Sequence, residues 1–273
     1  MIQKRRKLCR YLNTPIRKNQ VESSASICYN VSIKDDRRDT MLDIHSHFLP
    51  KMDDGSKSTE MSMEMLRSSR KQGVRTIVST SHFYGTEESP ESFLRRRKHA
   101  VNKLLPLLSD SEPEILLGAE VFYYPGISHS EAIPQLAIEG TDLVMIEMPF
   151  ITWSDRIFDE LISLQYNHRL HIVLAHVERY QKLQKRDMYA QLFEQPFYFQ
   201  CNASAFTSFR SRRLALRLLD NGQLHFLGTD CHNTDKRPPN MSEARSVIEK
   251  KLSPGAWRRL RREMIDRFNS HKL

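Results

Sequence analysis

From residue 41 to the end of the chain, short apolar runs alternate with stretches of helical character. The runs cover 41–45, 74–80, 114–121, 142–148, 170–175, 197–201 and 224–228. Several are rich in Val, Ile and Leu without a polar residue at every second place, as strands buried on both faces read. The intervening segments carry helix signals. Residues 58–72 place Met61, Met65 and Leu66 on one face and stop at Gly73, a suitable C′ residue. Ser89-Pro90-Glu91 supplies an N-cap, a proline at N1 and an acid in the first turn. Asn221-Gly222 closes the helix before the last run, and Ser253-Pro254 opens a final helix with Trp257, Leu260 and Ile265 to pack. Seven β/α units in succession predict an α/β fold with a parallel sheet, and closure into a TIM-like (β/α)7 barrel removes the exposed edges. Residues 41–273 are expected to form this single domain.

Residues 1–40 lack that pattern and hold ten Lys/Arg against four Asp/Glu, while the rest holds 32 against 29. The net charge of +9 therefore sits mostly in one segment, expected to be a solvated, poorly ordered basic extension rather than a nucleic-acid-binding arm. Met41 is a second candidate start. No apolar run reaches the roughly 18 residues of a membrane helix, and the N-terminus lacks the apolar core of a secretory signal. Four irregularly spaced cysteines give no disulfide framework. The expectation is a cytoplasmic protein without stable membrane insertion, compatible with a homo-oligomer.

Chemistry concentrates at the ends of the runs. The first ends in Asp43-Ile44-His45-Ser46-His47, the second in Ser81-His82, the third in Gly118-Ala119-Glu120, the fourth in Ile146-Glu147, the fifth in Ala175-His176 and the seventh in Thr229-Asp230-Cys231-His232. In a parallel barrel all strand C-termini converge on one face. Residues two apart on a strand point the same way, which pairs His45 with His47 and Asp230 with His232. A lone histidine or carboxylate is usually a packed or solvated residue. Ligand-type residues from six strands converging on one end would bury charge without partners unless cations offset it. Imidazole with carboxylate suits manganese, iron or zinc and argues against a thiolate site. The number of candidates exceeds one ion, so two or three are expected, and Asp53-Asp54-Gly55 offers another carboxylate. Arg179 and Arg237 follow the fifth and seventh runs, where guanidinium forks match phosphate oxygens.

The segments DIHSHFLPKMDDGS, QGVRTIVSTSH, LLGAEVFYY, IVLAHVERY and GTDCHNTDKRPPNM resemble the PHP (polymerase and histidinol phosphatase) superfamily. More narrowly they resemble its bacterial tyrosine-phosphatase branch, found with capsule and exopolysaccharide synthesis. The H-x-H start is common to the superfamily. The DDG, AH-x-ERY and D-x-H-N…RPP segments together are particular to the branch.

The resemblance implies a distorted barrel holding three divalent ions, chiefly Mn, with Fe or Zn as alternatives. His45, His47, Glu120 and Asp230 would hold one ion. Glu120 would bridge to a second, held also by Glu147 and His176. Asp54, His82 and His232 would hold the third. Arg179 and Arg237 would grip phosphate while a metal-activated hydroxide attacks. The implied substrate is a phosphotyrosine protein, the Tyr-rich tail of a bacterial tyrosine kinase. Phe83 stands where many members carry a second histidine, and the basic extension has no counterpart in the typical member.

Three other readings compete. Cys231 and Arg237 have the C-x5-R spacing of cysteine-dependent tyrosine phosphatases, but no glycine lies between them to let backbone N–H groups cradle an anion. Histidinol phosphate fits the same ligand set as phosphotyrosine. A non-enzymatic nucleic-acid module would need aromatic residues interleaved with basic ones, a pattern this sequence lacks.

Overall fold

The computed structural model describes residues 40–273, so the expected basic extension lies outside the described residues except for Thr40. In chain order the elements are β1 (Met41–Ser46), α1 (Thr59–Lys71), β2 (Val74–Ser79), β3 (His82–Phe83), α2 (Pro90–Leu104), β4 (Glu114–Leu117), β5 (Glu120–Phe122), β6 (Leu143–Glu147), α3 (Asp155–His168), β7 (His171–Leu174), α4 (Arg186–Leu192), β8 (Tyr198–Asn202), α5 (Ala203–Thr207), α6 (Arg212–Asp220), β9 (Phe226–Gly228), α7 (Met241–Lys251) and α8 (Ala256–Ser270).

All named strand pairs are parallel, in the orders β1-β2-β4 and β3-β5-β6-β7-β8-β9. The nine segments are the seven predicted strands, two of them bent. Thr80-Ser81 separates β2 from β3, and Gly118-Ala119 separates β4 from β5. The bends are in step: Thr80 N–H donates to Ser46 O (2.8 Å) and Gly118 N–H to Ser79 O (2.8 Å), so adjacent strands turn together. The result is a distorted parallel barrel. One β/α unit departs from the expectation. Between β5 and β6 the chain forms only two 3-10 turns, Ile127–His129 and Ile133–Leu136, each too short to replace a helix.

The seam lies between β9 and β1. Asp230 N–H donates to His45 O (2.7 Å) and His47 N–H to Cys231 O (2.9 Å). A Cβ on Gly228 would lie 2.4 Å from His45 Cβ, so only glycine lets the strands approach this closely. The buried Asp43 carboxylate latches the same seam, accepting from Thr229 N (2.9 Å) and Thr229 Oγ1 (2.6 Å). Burial pushes its pKa up to about 6 against the lowering effect of these bonds.

The helices bury their apolar faces against the strands. Ser58 caps α1 and Ser89 caps α2, each accepting a backbone N–H, and Gly73 (φ 95°) ends the first helical segment as predicted. On α1 the fully packed residues are Met63, Met65 and Leu66, with Met61 only partly buried, which corrects the predicted face by one position. The final helix begins at Ala256 behind Gly255 rather than at Ser253-Pro254, and buries Trp257, Leu260 and Ile265. Among the described residues no helix is long and apolar enough to cross a membrane.

Candidate metal centre

The strand ends bring together all nine ligand candidates. His45 sits on β1 and His47 just past it, while His82, Glu120 and Glu147 lie on β3, β5 and β6. His176 follows β7, and Asp230 and His232 follow β9. Two of these residues bend the backbone into the left-handed region to reach the site: His176 (φ 32°) and Asp230 (φ 52°). That region is unfavourable for a side-chain-bearing residue and is found where surrounding structure imposes it. All but Asp54 and His82 are buried, and Asp54 stands at the rim.

One group is tightly drawn. His45 Nε2 lies 3.2 Å from His47 Nε2, 3.3 Å from Glu120 Oε2 and 3.5 Å from Asp230 Oδ1. His47 Nε2 lies 3.3 Å from Glu120 Oε2 and 3.4 Å from Asp230 Oδ1. An edge of a regular tetrahedron is about 1.6 times its centre-to-vertex distance, so these edges correspond to about 2.0–2.1 Å, the reach of nitrogen and oxygen ligands to a small divalent ion. A second group has His176 Nε2 at 2.9 Å from Glu120 Oε1 and 3.2 Å from Glu147 Oε1. In a third, Asp54 Oδ1 is 3.5 Å from His82 Nε2 and 3.2 Å from His232 Nε2, with His47 alongside. Glu120 belongs to more than one group, since its Oε2 is also 3.0 Å from His82 Nδ1. Two of the buried atoms that define these groups, Glu120 Oε2 and His232 Nε2, have no hydrogen-bond partner. The donor set and the orphaned atoms fit divalent cations.

Electrostatics point the same way. Burial would push Glu120 and Asp230 up, but the surrounding histidines, with Arg179 for Asp230, hold both below the usual carboxylate range. Burial would push His47, His82 and His176 down, yet the carboxylates raise all three, His176 to about 9. His232, desolvated and beside His47, falls to about 4.

Both arginines reach this cluster through one atom: Arg179 Nη2 and Arg237 Nη2 lie 2.6 and 2.7 Å from Asp230 Oδ2. Their remaining N–H groups are half-exposed at the mouth of the site. Cys231 faces away, fully buried, and its thiol is pushed far up by burial and by Asp43. It has none of the thiolate character that the C-x5-R reading requires.

Residues 41–266 match the family described as capsular polysaccharide synthesis, CpsB/CapC. The chain belongs to the CpsB/CapC family. It is 31% identical over 224 residues to the tyrosine-protein phosphatase CpsB of Streptococcus agalactiae serotype III (strain NEM316), covering 76% of this chain and 89% of that one. It is 30% identical over 221 residues to the tyrosine-protein phosphatase YwqE of Bacillus subtilis (strain 168), covering 78% and 85%. A solved structure described under YwqE from Bacillus subtilis and CpsB from Streptococcus pneumoniae, "unique metal-dependent tyrosine phosphatases", superposes with a TM-score of 0.73 at 28% identity, covering 85% of this chain and 96% of that one. The resemblance to the capsule branch of the PHP superfamily is thereby borne out.

Within this CpsB/CapC chain, residues absent from the predicted ligand set organise the centre. Asp53, the neighbour of the predicted Asp54, accepts from His47 Nδ1 (2.8 Å) and from His82 N–H (2.9 Å). Burial would raise Asp53, but His47 holds it far below the usual range. Gly55 makes this loop possible, because a Cβ there would lie 2.3 Å from His47 O. The DDG segment thus supplies an orienting carboxylate, a rim carboxylate and a tight turn in succession. A signal for Asp53 existed in the sequence, but two adjacent acids could not be told apart without the turn.

A further group, Asp142, His171 and His271, also falls within ligand distance, at the opposite end of the barrel. There Asp142 accepts from both imidazoles (3.2 and 2.8 Å), and His271 Nε2 pairs with Tyr198 Oη (2.8 Å). Its polar atoms are mutually satisfied, and Arg267 adds positive charge, so it reads as a clasp holding α8 under β6 and β7.

Proposed function

We propose that this protein is a metal-dependent protein-tyrosine phosphatase that regulates a bacterial tyrosine kinase of capsule or exopolysaccharide synthesis. The observation that carries this is the convergence of imidazoles and carboxylates from six strands into three groups joined by Glu120, with two arginines at the mouth. His45, His47, Glu120 and Asp230 would hold one ion, Glu120, Glu147 and His176 a second, and Asp54, His82 and His232 a third; the donor set suits manganese, iron or zinc, and manganese is the ion the family resemblance implies. When bound, such ions supply an activated water and neutralise charge on the phosphoryl oxygens.

The protein's own groups do the rest. Asp53 orients His47. Arg179 and Arg237 hold spare N–H donors toward a phosphate while Asp230 Oδ2 fixes their heads. Glu120, which would bridge two of the ions, is buried at the floor of the site. A phenolate leaving group, with a pKa near 10, needs little protonation help.

One surface feature favours an aryl phosphate over histidinol phosphate. Phe150, 45% exposed, stacks on the His176 ring at 5.9 Å and 22°. Tyr84 lies 5.6 Å from the His82 ring. A phenyl ring has more apolar face than an imidazole to lay against such aromatic side chains. A phosphotyrosine protein, such as a Tyr-rich kinase tail, is the proposed partner. Among the described residues, the free, buried thiols Cys201 and Cys231 fit a reducing compartment such as the cytoplasm.

The test is hydrolysis of a phosphotyrosine peptide and of histidinol phosphate by the chelated protein, with manganese, iron or zinc restored singly. Recovery on the peptide with at least one metal is expected. No recovery with any metal would refute the reading, and preference for histidinol phosphate would move the protein to the other branch.

A further inference from the structure

Of the seven predicted strands, the sixth, β8, ends in no predicted ligand, yet it presents two buried amides, Gln200 and Asn202, to the centre. Their hydrogen bonds form a chain whose polarity can be worked out. The backbone N–H of His176 can only donate, and it lies 2.7 Å from Gln200 Oε1. That fixes which end of the Gln200 amide is oxygen. The same Oε1 faces His45 Nδ1 at 3.1 Å. Two acceptors would repel there, so Nδ1 carries the proton. His45 Nε2 is then left with a bare lone pair, aimed at His47, Glu120 and Asp230.

The other end of the amide continues the chain. Gln200 Nε2 donates to Asn202 Oδ1 (2.9 Å), so Asn202 Nδ2 is the donor to Asp230 Oδ2 (2.7 Å). With Arg179 and Arg237 on that same oxygen, Oδ1 is the Asp230 atom left facing His45 and His47. Asp53 does the equivalent work for His47, tying its imidazole to the backbone N–H of His82. The two supports differ in charge: Asp53 is a carboxylate, whereas Gln200 is a neutral amide.

We infer that Gln200 and Asn202 are positioning residues of the metal centre: one peptide N–H, relayed through two oriented amides, sets the tautomer of His45 and the rotamer of Asp230. This rests on the metal-centre reading, and the test separates the two. The full chain would be freed of metal, checked for wild-type circular dichroism and titrated with Mn²⁺ by following the free-ion spin-resonance signal. Orienting partners of this kind typically change metal affinity by roughly 10- to 100-fold. Gln200→Met and Asn202→Leu are expected to weaken one Mn²⁺ equivalent by about that factor and spare the others. Gln200→Glu keeps the acceptor for His176 N–H, so it provides a folded variant if Gln200→Met does not fold. It loses the donor to Asn202 and places a carboxylate beside His45, so it is expected to shift the affinity of the same equivalent and spare the others. In the zinc-loaded wild type, ¹⁵N-histidine spectra should place the His45 proton on Nδ1. Unchanged Mn²⁺ affinity in the folded variants, or a proton on His45 Nε2, would overturn the inference. A wild-type chain that binds no Mn²⁺ would instead refute the metal-centre reading beneath it.

Discussion

Replacing Gly228 with alanine tests whether the barrel seam and the centre are one mechanical unit. The new Cβ would lie 2.4 Å from His45 Cβ, 2.9 Å from His45 N and 3.1 Å from His45 Cα. These are mainly backbone positions, so no side chain can swing away. Restoring ordinary contact, which begins at 3.4 Å, requires β9 and β1 to part by about 1 Å. Overpacking of this kind costs about 1–3 kcal/mol. At about 2–4 °C per kcal/mol for a domain of this size, the melting temperature should fall by roughly 2 to 12 °C. The same displacement lengthens the 2.7 Å bond from Asp230 N–H to His45 O and carries Asp230 Oδ1 away from His45 Nε2. A misplacement of about 1 Å in a reacting constellation costs on the order of 100-fold in rate. Activity should therefore drop far more than stability. The assay is phosphotyrosine-peptide turnover at saturating Mn²⁺ beside a thermal melt. Wild-type turnover in Gly228→Ala would refute the reasoning, because the seam would then be slack enough to move without disturbing the ligands.

Other outcomes follow from the same geometry. Cys231→Ser should keep most activity while His45→Ala abolishes it, and the reverse pattern in a phosphatase assay would restore the thiolate mechanism. Phe150→Ala should raise KM for a phosphotyrosine peptide roughly two- to tenfold, from about 0.5–1.5 kcal/mol of aromatic contact, with kcat little changed. In the metal-free protein His47, His82 and His176 all hold protons more tightly than usual, so Mn²⁺ uptake near pH 7 should release protons. Apparent affinity should rise with pH toward about 9, the His176 value, and calorimetry in buffers of different ionisation enthalpy would detect the release. A heat independent of buffer would contradict it.

Much of this was legible in the sequence. Periodicity identified the seven strands because buried parallel strands leave continuous apolar runs, and the ligand-type residues stood at six of their ends. The bend at Thr80-Ser81 was not legible, since it arises from neighbouring strands turning together rather than from a local breaker, whereas Gly118 was a local sign of the bend at Gly118-Ala119. The missing helix between β5 and β6 was hidden because Ile133 and Leu136 pack into the core from a 3-10 turn much as a helical face would. Gln200 and Asn202 went unnoticed for a chemical reason: amides are poor metal ligands, so a search for ligands passes over them. Their signal was present as two polar residues at i and i+2, Gln200 in the apolar run and Asn202 just past its end. The arginines were found by their place after the strands, but their shared anchor on Asp230 required three-dimensional structure.

The left-handed backbone at His176 and Asp230 has an evolutionary consequence. Each such residue typically opposes folding by about 1–3 kcal/mol, and at both positions glycine would relieve the strain. Glycine would remove that backbone cost, but it would also strip Arg179, Arg237 and Asn202 of their anchor on Asp230 and Glu120 of its partner His176, so the centre's own contacts oppose the change. Retention of His176 and Asp230 in a lineage would then follow from these contacts as well as from selection on turnover.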